Sequence, residues 1–123
     1  MNGGKLIRGR VYLVRLDPVK GAEIGKLRPV TVLTAQTLLD IDPPMLFVCP
    51  LSSRSELAYQ SLHVPISARD ELRADSFGLV EHCRAISRQR VLSHKLAQLT
   101  DQEIDTIVQK LQRLVGASPR RAH

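Results

Sequence analysis

Two short apolar runs in this chain each carry a proline. Met45-Leu-Phe-Val-Cys49 runs straight into Pro50, and Leu62-His-Val-Pro-Ile66 encloses Pro65. A proline has no amide hydrogen to give a neighbouring strand, so both runs are expected at a sheet edge or at a strand end. With several glycines between the other runs, this argues for a small, strongly curved barrel rather than a parallel sheet with crossover helices. A length of 123 residues, 43% of them hydrophobic, suits a single domain with a small core.

The remaining elements follow from periodicity. Residues 10–16 read as a first strand with Val11 and Leu13 on one face and Tyr12 and Val14 on the other. Residues 28–34 read as a second, rich in β-branched side chains. Residues 77–80 and 83–86 form two short strands or one bent strand, with Glu81 and His82 at the bend. Residues 36–44 and 55–61 are connections; the charged stretch 68–75 is expected to hold a helical turn. Ser93 is expected to cap a single turn through Gln98. The lead-in is expected to be mobile up to Leu6, and the basic tail 118–123 disordered. The clearest element is last. Thr100-Asp-Gln-Glu103 fits a capping box, Leu99 and Ile104 a hydrophobic staple, and Gly116 a stop. Between them Ile104, Ile107, Val108, Leu111, Leu114 and Val115 recur at helical spacing. The sum is five to seven short strands followed by one amphipathic helix.

A net charge of +6 favours an acidic partner, either nucleic acid or an acidic peptide. No apolar run approaches the roughly 20 residues that span a bilayer. The start, Met-Asn-Gly-Gly-Lys, lacks a signal-peptide core, so a cytoplasmic protein is expected. Cys49 and Cys83 stand apart in apolar surroundings, as reduced, buried thiols do. Without CxxC or HxxxH spacing, no zinc, other metal or cofactor is expected. One stretch carries more chemistry. In residues 21–33, a glycine loop runs into a strand, and Arg28 sits at the join ahead of Pro29. Proline biases the residue before it to extended geometry, which holds a permanently charged guanidinium at a strand mouth. That suits a phosphate or a carboxylate; a surface arginine in an ion pair fits the same residues and is the simpler reading of them alone. Ser52, Ser53 and Arg54 lie at another strand end beside a polar loop.

Four pieces in order bring in a resemblance. Arg8-Gly-Arg-Val-Tyr-Leu-Val-Arg-Leu-Asp-Pro18 and Gly21-Ala-Glu-Ile-Gly-Lys-Leu-Arg-Pro-Val-Thr-Val-Leu33 are similar to the start of the MazF/PemK-like ribonuclease toxins. Pro50-Leu-Ser-Ser53 resembles that family's strand-end Thr/Ser motif. Glu81-His-Cys-Arg-Ala-Ile86 resembles its later Glu-Gln-x-Arg-x-Ile stretch. The match runs from about residue 8 to 116 of a single toxin domain spanning 1–123. The resemblance implies a mainly β fold, a small SH3-like barrel of the CcdB/MazF type with a C-terminal amphipathic helix. It implies a homodimer, metal-independent cleavage of single-stranded RNA, and inhibition by a cognate antitoxin with a disordered acidic segment. Carried over by position, Arg28 and Ser52 are the catalytic pair. Glu23, Lys26, Ser53, Arg54, His82 and Arg84 are the expected RNA-binding residues.

The chain departs from the family pattern at four places. Ala22 replaces the usual serine, Arg10 stands where an acidic residue is common, His82 replaces glutamine, and Ser52 is the smaller alternative to threonine. None removes the arginine–hydroxyl pair. Such a pair suffices physically, because RNA supplies its own nucleophile in the 2′-hydroxyl. Arg28 stabilises the charge that grows on the phosphate, and Ser52 positions the phosphate or the 2′-hydroxyl. His82 is the titratable group available for acid–base work, or a structural or base-contacting histidine. His63, within a strand, reads as packing, and His94 and His123 as surface residues. Glu23 orients Arg28, contacts a base or is a plain loop carboxylate; Tyr59 stacks on a base or is solvated. Two rival functions use the same barrel: a gyrase-inhibiting toxin and a non-catalytic RNA-binding module. Neither needs the Arg28–Ser52 pair.

Overall fold

The computed structural model describes residues 5–18, 20–22 and 25–116, apart from the side chains of Ser93 and His94. The expectations placed on residues 1–4 of the lead-in, on Glu23, on the His94 and His123 side chains and on the tail 118–123 lie outside the described residues. The chain forms β1 (Arg10–Arg15), β2 (Leu27–Val32), a one-turn helix α1 (Gln36–Leu39) and β3 (Met45–Ser52). Then come β4 (His63–Ile66), β5 (Ser76–Leu79), β6 (Arg84–Ser87), β7 (Val91–Gln98) and the long helix α2 (Asp101–Leu114). All pairings are antiparallel. The strand order is β4-β5-β3-β2-β1-β7, with β6 also on β3; the path does not close between β4 and β7.

The prolines divide between the two outcomes. Pro65 lies in β4, the end strand, as its missing donor requires. Pro50 does not mark an edge: β3 is central and continues to Ser52. The reason is local. One side of β3 pairs β6 from Met45 to Val48 and β5 at Leu51 and Ser52. Pro50 falls in the gap, where the neighbouring chain leaves the ladder as a 3-10 turn, Val80–His82. No donor is called for there. The predicted bent strand with Glu81 and His82 at its bend is this β5–turn–β6 segment.

Alternation along β1 and β3 sends side chains to two cores, one on each face of the sheet. Tyr12, Val14, Val30, Val32, Leu46, Val48 and Ile86 pack one core together with Leu6 and Leu39. Leu6 is therefore held inside and not mobile. Val11, Cys49, Leu51, Val64, Val80 and Ala97 form the other, which α2 closes with Ile104 and Ile107. The helix starts as its sequence dictates. Thr100 Oγ1 accepts the Glu103 N–H at 3.1 Å, and Glu103 Oε1 accepts the Thr100 N–H at 2.9 Å. The staple partners Leu99 and Ile104 are both buried in the α2 core. Gly116 ends it with φ +81°, a conformation glycine adopts without strain. Cys49 and Cys83 are free thiols, the first buried and the second half-buried. Hydrogen bonding with Cys83, together with burial, pushes the Cys49 thiol well above its ordinary range.

Two local expectations are overturned. Residues 68–75 hold no helical turn; Arg69 and Leu72 form an isolated antiparallel bridge, and Asp70 takes φ +50°. The turn leans on the far edge of the sheet, where the Glu71 N–H donates to the Leu96 carbonyl at 2.9 Å. Residues 93–98 belong to β7 and form no helical turn, because pairing with β1 outweighs local turn preference. The connection 36–44 gains the one-turn helix, whose Leu39 is buried. Among the described residues no helix is long and apolar enough to cross a membrane.

Candidate active site

Strand register brings Arg28 and Ser52 together. Val30 on β2 faces Pro50 on β3. Two residues further toward the strand mouths, Arg28 comes opposite Ser52, since antiparallel partners move in opposite directions along the chain. Ser52 is flanked on its other side by Phe77 of β5, and Arg28 by Val14 of β1. Arg28 Nε donates to the Gly25 carbonyl at 3.2 Å. That bond fixes the plane of the guanidinium and leaves both Nη groups unpaired among the described residues. Ser52 Oγ accepts the Arg54 N–H at 3.1 Å, so its own hydrogen remains available.

These two residues stand in a basin of about 790 Å³. One wall is the glycine loop, with Asp17, Ala22, Gly25 and Lys26. Its base is pinned by Asp17 Oδ1, which accepts the Lys26 N–H at 2.9 Å, and Lys26 takes φ +67°. The opposite wall is the β3–β4 connection, with Arg54, Glu56 and Tyr59. The end wall is His63 with the turn after β5, bearing Glu81 and His82. Three cations, Lys26, Arg28 and Arg54, line the basin and form no ion pair among the described residues. Two of its three carboxylates are committed elsewhere, Asp17 to the Lys26 amide and Glu81 to His63. The basin thus carries three cations and three carboxylates, and the cationic donors, bound in no ion pair among the described residues, are available to an anion.

Of the residues marked in the sequence, Lys26, Arg28, Ser52, Arg54 and His82 line one basin. Ser53 is exposed beside it and does not line it. Arg84 does not line it either. It lies four ladder positions away along β3, opposite Val48, and its Nη1 is buried without a hydrogen-bond partner. By sequence, His63 is a packing residue of a strand and Ser55 part of a polar loop. In the fold, the His63 side chain is 1% exposed and bridges two walls of the basin. Its Nδ1 lies 2.6 Å from Ser55 Oγ, and its Nε2 lies 2.8 and 3.0 Å from the two carboxylate oxygens of Glu81. The one sequence signal was a histidine opening a strand ahead of an edge proline.

Comparisons with known proteins agree in one direction. The family model described as PemK-like, MazF-like toxin of type II toxin-antitoxin system matches residues 7–115. The chain is 32% identical over 117 residues to an "Endoribonuclease MazF" of Staphylococcus saprophyticus, covering 94% of this chain and 96% of that protein. It is 35% identical over 106 residues to the "Endoribonuclease EndoA" of Bacillus subtilis, covering 85% and 90%. Crystalline MazF from Deinococcus radiodurans superposes with a TM-score of 0.74 at 23% identity, over 89% of this chain and 94% of that one. A MazE–MazF crystal form from the same organism gives 0.71 over 94% and 100%. At that identity the structures speak for the fold: an antiparallel sheet with one C-terminal helix, here with an open ladder.

Proposed function

The chain belongs to the PemK-like, MazF-like toxins of type II toxin–antitoxin systems and is an endoribonuclease, and from that premise we propose that it cuts single-stranded RNA at the Arg28–Ser52 basin without a metal ion. The 2′-oxygen attacks the adjacent phosphorus, the bond to the 5′-oxygen breaks, and the products are a 2′,3′-cyclic phosphate and a 5′-hydroxyl. The Arg28 Nη groups hold the phosphate oxygens as charge builds on them, which is where a fixed cationic donor contributes most. Ser52 donates its free hydrogen to the phosphate or orients the 2′-hydroxyl. Lys26, Arg54 and His82 hold the RNA on either side. One observation carries this reading: an arginine and a serine at neighbouring strand mouths line one basin, each with a donor left over among the described residues, beside two further cations, Lys26 and Arg54, that form no ion pair there. A cognate antitoxin neutralises the enzyme, its acidic segment lying in the same basin. Incubating the purified protein with a long RNA in EDTA tests the chemistry. Cleavage with cyclic-phosphate and 5′-hydroxyl ends is expected. A requirement for magnesium, or 3′-hydroxyl ends, defeats the mechanism.

A further inference from the structure

We propose that His63 is a positioning residue for RNA cleavage, holding the β3–β4 connection through Ser55 against the turn after β5 through Glu81 and so setting the width of the basin between them. The inference rests on the reading of the basin as the RNA site. The argument begins with hydrogen-bonding capacity. An ionised carboxylate only accepts, so the imidazole Nε2 that faces both Glu81 oxygens at 2.8 and 3.0 Å carries a hydrogen. In the neutral ring Nδ1 is then an acceptor, and the Ser55 hydroxyl donates to it at 2.6 Å. In the protonated ring Nδ1 donates to the same oxygen. Both links therefore survive a change of histidine charge, which is what a fixed brace requires and a titrating switch does not.

The ring cannot drift. Its side chain is 1% exposed, and the Phe77 ring lies 6.5 Å away, centroid to centroid. The His63 carbonyl accepts from Lys110 Nζ at 2.9 Å, which ties the start of β4 to α2. The segment braced from this point is otherwise loosely held. The connection 53–62 contains no fully buried residue, yet it supplies Arg54, Glu56 and Tyr59 to one wall of the basin. Within its first four residues, the Arg54 N–H bonds back to Ser52 at the end of β3, and the Ser55 hydroxyl reaches forward to His63 of β4. Glu81 lies on the end wall and stands next to His82. One imidazole thus links two of the segments that line the basin.

Steady-state cleavage of a short fluorogenic RNA tests this with three variants: Ser55→Ala, His63→Gln, and both together. Glutamine keeps a donor for Glu81 and gives up Ser55. Each single variant is expected to raise KM about three- to tenfold, the range of one lost hydrogen bond, with a smaller change in kcat. The double variant is expected to match His63→Gln, because both changes break the same link. Ser55→Thr, which restores the hydroxyl, is expected to return KM to the wild-type value. Unchanged KM in Ser55→Ala, with wild-type enzyme cutting the same RNA, overturns the brace. So do additive effects in the double variant, or a loss that shows only in melting temperature. If the wild-type enzyme does not cut RNA, it is the ribonuclease mechanism that falls.

Discussion

Arg28 is tied by one bond to the Gly25 carbonyl and contributes little to either core, so its removal costs function and not fold. Arg28→Ala is expected to lower cleavage a hundredfold or more, about the worth of one fixed donor to a developing anion. The melting temperature should stay within a few degrees of wild type. Ser52→Ala should also lower the rate strongly, and Ser52→Thr should keep it, since a β-branched hydroxyl suits a strand end. Rates for both alanine variants close to wild type would remove the pair from the mechanism. The prolines beside Arg28 and Ser52 mark strand mouths in the sequence, but their role as a pair comes from the family resemblance and not from local signals. The bridging role of His63 was not legible. Its partners lie 8 and 18 residues away, and only strand pairing and the 3-10 turn bring them to it. Arg84, set on β6 with Val48 as its register partner, does not line the basin, and that placement too comes from strand pairing.

At the scale of elements, α2 was read whole from its own residues because a capping box is local. The sequence could not show what secures it to the sheet. Arg69, in the tight turn before β5, donates from both Nη groups to the two Glu103 oxygens at 2.7 Å. This bidentate pair holds the Glu103 carboxyl below its ordinary value of 4.5. A depressed acid stabilises the fold wherever it is charged. The contribution is therefore whole above pH 4.5 and disappears as the pH falls through the lower folded value. Glu103→Gln keeps an acceptor for the Thr100 amide and discards the charge. It should cost about 1 kcal/mol at neutral pH, a figure kept small because both side chains remain partly solvated. The difference from wild type should vanish in strongly acidic buffer; a denaturation series across pH reads it directly. A constant difference at every pH would show that the pair acts by shape rather than by charge. In 68–75 a tight reverse turn closed by Arg69 and Leu72 stands in place of a helical one, whereas at Ser93 ladder pairing of β7 with β1 prevails over a local turn.

For the whole molecule, charge and exposed apolar surface carry the expectations. Met45 and Phe47 on β3 are 50% and 36% exposed, and Leu38 and Ile41 in the preceding segment 53% and 74%. Apolar surface of this kind supports the proposed homodimer. Light scattering at micromolar concentration should give twice the chain mass, and a monomer there would count against it. The antitoxin expectation is electrostatic. An acidic peptide and RNA should compete, with association slowing as salt rises. Arg54→Glu should weaken both ligands; RNA binding lost with peptide affinity intact would place the peptide elsewhere. The strand order has one more consequence, for the growing chain. β1 is made first but completes its pairing only with β7, and the core around Cys49 and Leu51 stays open until Ile104 and Ile107 arrive. A polypeptide still on the ribosome with residues 91–114 inside the exit tunnel has every basin side chain outside and no closed fold to hold them in place. RNA cleavage is therefore expected to begin only once α2 has left the tunnel and closed that core.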